Sequence, residues 1–328
     1  MGERPQRNLG MDLVRVTEAA ALAAARWMGR GQKEAGDQAA VDAMRLILDT
    51  VDMDGVIVIG EGEKDQAPML YNGERVGSGR GPEMDVAVDP VEGTRLLAEG
   101  KSNSIAVIAV APRHAMWNPG PAFYMQKLVV DHEARAVIDL DAPVAENLRN
   151  ISQAKGMDVD DLTVFILDRP RHQQLIAEVR AAGARITLHT DGDVAGALLA
   201  VIPGTGVDVL MGIGGTPEGI IAACAVKAFG GGMLGRLAPQ KPGEREAILA
   251  AGQDLDRVLT LDDLVRGEDL YFAATGITTG DLLQGVRYDG LGARTHSVMI
   301  RARSGTVRYI EAIHRWDKLM RISTIDYD

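Results

Sequence analysis

The chain has 328 residues, of which 46% are hydrophobic, 25% charged and only 4% aromatic, and its 35 basic and 46 acidic side chains give a formal net charge of −11. That is a globular composition with an aliphatic core, enough for about two average domains or one large α/β unit. The acidic balance argues against a generic nucleic-acid or anionic-membrane surface, and no apolar run approaches the length of a membrane span. A single cysteine, Cys224, allows no intramolecular disulfide and fits a reducing compartment. Its setting, IIAACAVKAF, reads as a buried helix in which the thiol is a small hydrophobe. The polar N-terminus MGERPQRNLG lacks an apolar signal core, so a cytoplasmic location is expected.

In chain order, apolar residues at helical spacing predict a helix over Met11–Met28, ended by Gly29 and Gly31, and a second over Glu34–Thr50. GVIVIGEGE is a short buried strand that runs into a glycine-rich loop, and Asn72-Gly73 signals a hairpin. DVAVDPVEGTRLLAEG, from Asp85 to Gly100, is a strand cut by Asp-Pro and followed by a short helix; SIAVIAVAP and AFYMQKLVV are further strands. After a helix over Val144–Ala154, strands LTVFIL, RITLH and VDVLMGIGG alternate with helices PRHQQLIAEVRAAG, DVAGALLAVI and PEGIIAACAVKAF. This alternation predicts a layered α/β fold. Each of these strands ends in a polar or glycine-rich loop, where ligands gather in such folds. The tail holds the strand-like runs HSVMIRARS and TVRYIEAIH.

An acidic protein that handles phosphate needs positive charge from a few placed Arg or Lys, from helix N-termini or from metal ions. In DVAVDPVEGT, Asp89 closes a strand, Pro90 fixes the backbone, Glu92 follows, Gly93 admits close approach, and Thr94 opens a helix. Two acids on one bend suit a hard cation shared with a phosphate; an acidic turn with a threonine cap is the competing reading. Glu61 in IGEGEK stands at another strand end, Asp37 near a helix start, and Glu218 follows Pro217 in GGTPEG. Each of these alone is a routine structural position. Arg169 and Arg171 flank Pro170, and their guanidinium forks suit a phosphate. His114, His172 and His296 have no metal-ligand partner in sequence and read as structural.

Together these segments resemble a known pattern. Asp-Pro-Val-Glu-Gly-Thr is similar to the signature of lithium-sensitive, metal-dependent sugar and inositol phosphatases. With RWMGRGQKEAGDQAAVDAM, VIGEGEKDQAPMLYNGE, FYMQKL, LDRPRHQQLI, DGDVAGAL and GIGGTPEGIIAACA, nearly the whole chain resembles the class II, GlpX-type fructose-1,6-bisphosphatases. The resemblance implies an α/β/α/β/α sugar-phosphatase fold in one compact unit, with a seam near residue 155 between a metal-site half and a substrate half. It implies hydrolysis of fructose 1,6-bisphosphate in gluconeogenesis, with sedoheptulose 1,7-bisphosphatase activity and a silent sugar-phosphate sensor as alternatives. It implies two or more Mg²⁺ or Mn²⁺ ions and a homo-oligomer, dimer or tetramer.

Residue by residue, Asp37 and Glu61 match ligands of one metal; Asp89, Glu92 and Glu218 match carboxylates around a second. Thr94 matches the catalytic threonine, acting with Glu61 and Asp37. Glu92, Gly93, Thr94, Tyr124, Arg169, Pro170, Arg171, Asp191, Gly192, Asp193 and Gly215 match positions lining the substrate. Buried packing for Tyr124, helix capping for Asp191 and Asp193, and solvation for the arginines are their structural alternatives. Lys33, close to Asp37, is either a substrate contact or a surface residue.

Overall fold

The computed structural model describes residues 8–62 and 69–319. The N-terminal decapeptide as far as residue 7, and Glu63 and Lys64 of the IGEGEK loop, lie outside the described residues. Helices α1 (Gly10–Ala25) and α2 (Lys33–Leu48) come first. They are followed by β1 (Asp54–Ile59), β2 (Arg75–Val76), β3 (Glu83–Glu92), α3 (Thr94–Glu99), β4 (Ile105–Pro112) and β5 (Tyr124–Val130). Then come α4 (Val144–Lys155), β6 (Thr163–Leu167), α5 (Gln173–Ala181), β7 (Arg185–His189), α6 (Asp193–Val201), β8 (Val209–Gly215) and α7 (Thr216–Phe229). The chain closes with β9 (Gly232–Leu237), α8 (Glu244–Ala250), β10 (Leu259–Thr260), β11 (Tyr271–Gly276), β12 (Arg287–Asp289), β13 (Gly292–Arg301) and β14 (Thr306–Arg315).

Among the described residues these strands form two mixed sheets. The first runs β12-β13-β11-β4-β3-β1-β2 with β14 on β13, and the second runs β10-β9-β5-β8-β6-β7. Side-chain alternation along the central strands assigns each face to a layer. In β3 and β4, Val86, Val88, Ile108 and Val110 point to one side and bury against α1 and α2. Ala87, Val107 and Ala109 point to the other, into a core shared with α6, α7 and the inner face of the second sheet. The outer face of that second sheet, Leu128, Val164, Ile166 and Met211, packs on Leu148 and Ile151 of α4 and Ile176 and Val179 of α5. The order is therefore helices, sheet, helices, sheet, helices, the five-layer α/β arrangement that the family resemblance implied. The central strands of both sheets are covered on both faces, which is why they read as continuous aliphatic runs, while the edge strands β7, β12 and β14 are partly exposed.

The glycine-rich run GGGMLGRL and the short YFAATG, which carry no period-2 signal, form β9 and β11. PRHQQLIAEVRAAG begins with a 3-10 turn, Pro170–His172, before α5 proper. Asn72-Gly73 does make a turn, closed by Glu74 N–H on Tyr71 O at 3.0 Å, and it leads into β2 beside β1.

The central helical layer leaves no slack. A Cβ at Gly196 of α6 would stand 2.5 Å from the Phe165 ring. Gly196→Val is expected to lower the unfolding free energy by roughly 1–3 kcal/mol through overpacking, read as a shift of the urea midpoint at constant slope.

Candidate active site

Residues three apart on a regular strand face opposite sides, so Asp89 and Glu92 should diverge. They do not, because β3 bulges between them: Asp89 pairs with Val107 of β4 and Glu92 with Ile105, so the β3 side carries one extra residue. Val107 and Ile105 both face the inner layer, and both carboxylates follow them there. The residue at the bulge is Pro90, which has no N–H to give a ladder and is tolerated inside a sheet only at such a break. Asp89 Oδ1 accepts the Val91 N–H at 3.0 Å, which holds the bend. Gly93 then takes the left-handed conformation, φ 82°, and turns the chain into α3.

On the same inner side, α7 starts at the end of β8 and brings Glu218 in its first turn. Oxygens of Asp89, Glu92 and Glu218 lie within 4.8 Å of one another. A Cβ at Gly215 would collide with the Glu218 carboxylate, so the glycine is what lets that side chain fold back over the strand end. Glu92 Oε1 accepts the Val194 N–H of α6 at 2.9 Å. Asp37, Glu61, Asp89, Thr94 and Glu218 line one polar cleft of about 210 Å³. Asp37 reaches it from the second turn of α2 and Glu61 from the loop after β1, where its N–H bonds Leu70 O at 3.0 Å. The five residues expected as metal ligands and the threonine thus converge.

Electrostatics mark the cluster as a site for cations. Burial, then Asp89 and Asp37, push the Glu61 carboxyl up to about 8. Burial raises Asp89, Glu92, Glu218 and Asp37 as well, and the acidic neighbours add to it in each case. Glu218 Oε2 is buried without a hydrogen-bond partner. An orphaned carboxylate oxygen among raised carboxylates fits a hard divalent ion, whose preferred ligands are carboxylate oxygens.

The expected substrate residues gather beside it. Tyr124 stands opposite Gly215 in the β5–β8 ladder, with the Arg171 guanidinium 5.2 Å from its ring centre. Arg171 donates Nε and Nη2 to Ile213 O at 3.0 and 2.7 Å, which leaves further N–H groups of its fork open. Arg169 meets Asp191 at 3.5 Å. His172 is buried, with Nδ1 on Leu167 O and Nε2 accepting the Ile213 N–H, a structural role. Lys33 is the first residue of α2 and exposed, close enough to Asp37 to favour its ionised form. Cys224 is buried, its thiol pushed up to about 12 by burial first, and is inert. Sequence reasoning missed Lys127, whose ammonium pairs with Asp193. It also missed Lys241, 3.7 Å from the Phe123 ring centre and 6.0 Å from that of Tyr124. The signal for Lys127 was present: a lysine inside the strand YMQKLVV.

The sequence model of the family described as "Bacterial fructose-1,6-bisphosphatase, glpX-encoded" matches residues 7–314. The chain belongs to that family. It is 47% identical over 326 residues, 95% of this chain and 97% of the other, to "Fructose-1,6-bisphosphatase 1 class 2" of Escherichia coli (strain K12). It matches "Fructose-1,6-bisphosphatase class 2" of Shigella flexneri equally well, 47% identical with the same coverage. No helix among the described residues is long and apolar enough to cross a membrane.

The raised carboxylates set a sign for stability against pH. Below pH 4.5 Glu61 is protonated folded or unfolded; from there to about pH 8 only the unfolded chain releases the proton. Folding is therefore favoured least at the alkaline end. The melting temperature of metal-free protein should fall as pH rises across this window, and saturating Mg²⁺ should flatten the profile. Glu61→Gln should remove part of the slope, as followed by differential scanning calorimetry.

Proposed function

We propose that this chain hydrolyses fructose 1,6-bisphosphate to fructose 6-phosphate and phosphate. We further propose two or more Mg²⁺ or Mn²⁺ ions per site, a cytoplasmic location and a homo-oligomeric state, a dimer or tetramer. The observation that carries the activity is the convergence of Asp37, Glu61, Asp89, Thr94 and Glu218 in one cleft, in a member of this family.

Asp37 and Glu61 would hold one ion; Asp89, Glu92 and Glu218 would hold another. When bound, the cations supply charge neutralisation for the phosphate and acidification of water near neutral pH. The Thr94 hydroxyl donates to Val91 O at 3.2 Å. Its proton is committed, so Oγ offers lone pairs, and a water donating to it is oriented for in-line attack. Glu61, which a bound cation would keep ionised, takes the other water proton. The new P–O bond forms as the bond between phosphorus and the sugar C1 oxygen breaks; that oxygen takes a proton from solvent water, and Glu61 returns its own to solvent afterwards. Arg169, Arg171 and Tyr124 hold the phosphate that is not cleaved, and Asp191 accepts from sugar hydroxyls. An acidic protein can handle a bisphosphate because these few cations and the metal ions face it at close range.

Phosphate release from fructose 1,6-bisphosphate should require Mg²⁺ or Mn²⁺ and stop with a chelator; no release with any divalent ion would overturn the reading. Thr94→Ala should lower kcat by ~10²–10⁴-fold, while Mn²⁺ still binds in calorimetry. Turnover equal to wild type would remove Thr94 from the mechanism.

A further inference from the structure

β5 crosses the centre of the second sheet, and its Met125 and Val129 bury in the inner apolar layer. Lys127 lies between them on the same face, with a side chain only 2% exposed. Both of its cross-strand neighbours are glycines, Gly212 of β8 and Gly235 of β9. A Cβ at Gly214 would come within 3.1 Å of the ammonium, and one at Gly219 of α7 within 3.2 Å of Cε. The backbone of β8 and α7 is thus kept bare around one lysine.

The ammonium pairs with Asp193 Oδ2. Asp193 is the first residue of α6, and the next residue, Val194, gives its N–H to Glu92 Oε1. The Asp193 charge is felt by both Glu92 and Glu218. Asp193 therefore stands beside the carboxylate cluster, with its carboxylate paired to Lys127 and not among the oxygens gathered from Asp89, Glu92 and Glu218. A buried ion pair is a poor source of stability, since apolar residues of similar volume do as well or better. Its retention here calls for a reason in charge placement.

We propose that Lys127 is a positioning residue that holds the Asp193 carboxylate out of the metal cluster. It thereby limits the donors on that side to Asp89, Glu92 and Glu218 and seats the α6 end that fixes Glu92. This rests on the reading of the cluster as a divalent-cation site.

The test is Mn²⁺ binding to the full chain without substrate, read by the electron paramagnetic resonance of free Mn²⁺, on proteins shown folded by circular dichroism. Lys127→Met frees Asp193 as an extra anionic donor, so the dissociation constant should fall about tenfold. Asp193→Asn leaves the ammonium unneutralised beside the cluster, so the constant should rise about tenfold. The double substitution restores the charge balance and should return it to within about threefold of wild type. Two single variants that both weaken binding, or that leave it unmoved, would show that the pair only props the fold and would overturn the proposal. If Lys127→Met does not fold, the rise in Asp193→Asn and its reversal in the double variant decide the matter. A wild type that takes up no Mn²⁺ would sink the metal reading and this inference with it; a binding wild type with unmoved variants would sink the role of Lys127 alone.

Discussion

Like charge in a confined space is the constraint on which the rest of this molecule depends. Asp37, Glu61, Asp89, Glu92 and Glu218 repel one another, and their burial makes each ionised form costlier still. Such a group persists only if rigid elements hold it together against its own electrostatics. Here four separate elements deliver the five carboxylates from positions set by backbone geometry: a helix turn, a strand end, a bulge that supplies two, and a helix start. The core behind them is paid for in aliphatic burial, far from the charges. Polarity is thus concentrated where the inner helical layer leaves a gap, and the layers on either side need contain little of it.

The bulge in β3 shows how directly local chemistry sets the site. A regular strand would send Glu92 to the face packed on α1 and α2, among Val86, Val88 and Val91. A carboxylate there would have no partner and no cation. The missing N–H of Pro90 breaks the ladder at that step, the strand gains a residue, and Glu92 returns to the inner side. Pro90 therefore decides on which face of the sheet the second acid emerges, in addition to making a bend.

Much of this was legible in the sequence, for identifiable reasons. The α/β alternation, the polar strand ends and the acids of DVAVDPVEGT are local patterns, and local patterns survive folding. The strand β9 was not legible, because Gly232 and Gly235 suppress any strand signal; their glycines serve tight packing against Arg135 and Met125. The sequence places Asp89 and Glu92 on one bend, but regular strand spacing would part them, and the bulge that lets them share a face is not legible in it. The partner of Asp193 was hidden as well: Lys127 lies 66 positions away and meets it only through the stacking of β5 under α6. Pairings across layers carry no periodicity, so buried charge partners are what a reading of segments misses first.

The free edge of β8 obeys a related economy of backbone groups. β6 pairs with β8 only at Val209 and Leu210, so the edge of β8 beyond that point would be bare. The turn that follows β6 covers it: His172 accepts the Ile213 N–H, and Arg171 donates to the Ile213 carbonyl. Because Nδ1 of His172 lies on Leu167 O, its ring is held as the neutral tautomer with Nε2 free to accept. Burial also lowers the proton affinity of that ring, which protects the arrangement near neutral pH. The same contacts that satisfy an exposed strand edge bring the Arg171 guanidinium over the Tyr124 ring. A requirement of the sheet, that no buried backbone group be left unpaired, thus fixes the Arg171 guanidinium beside the Tyr124 ring.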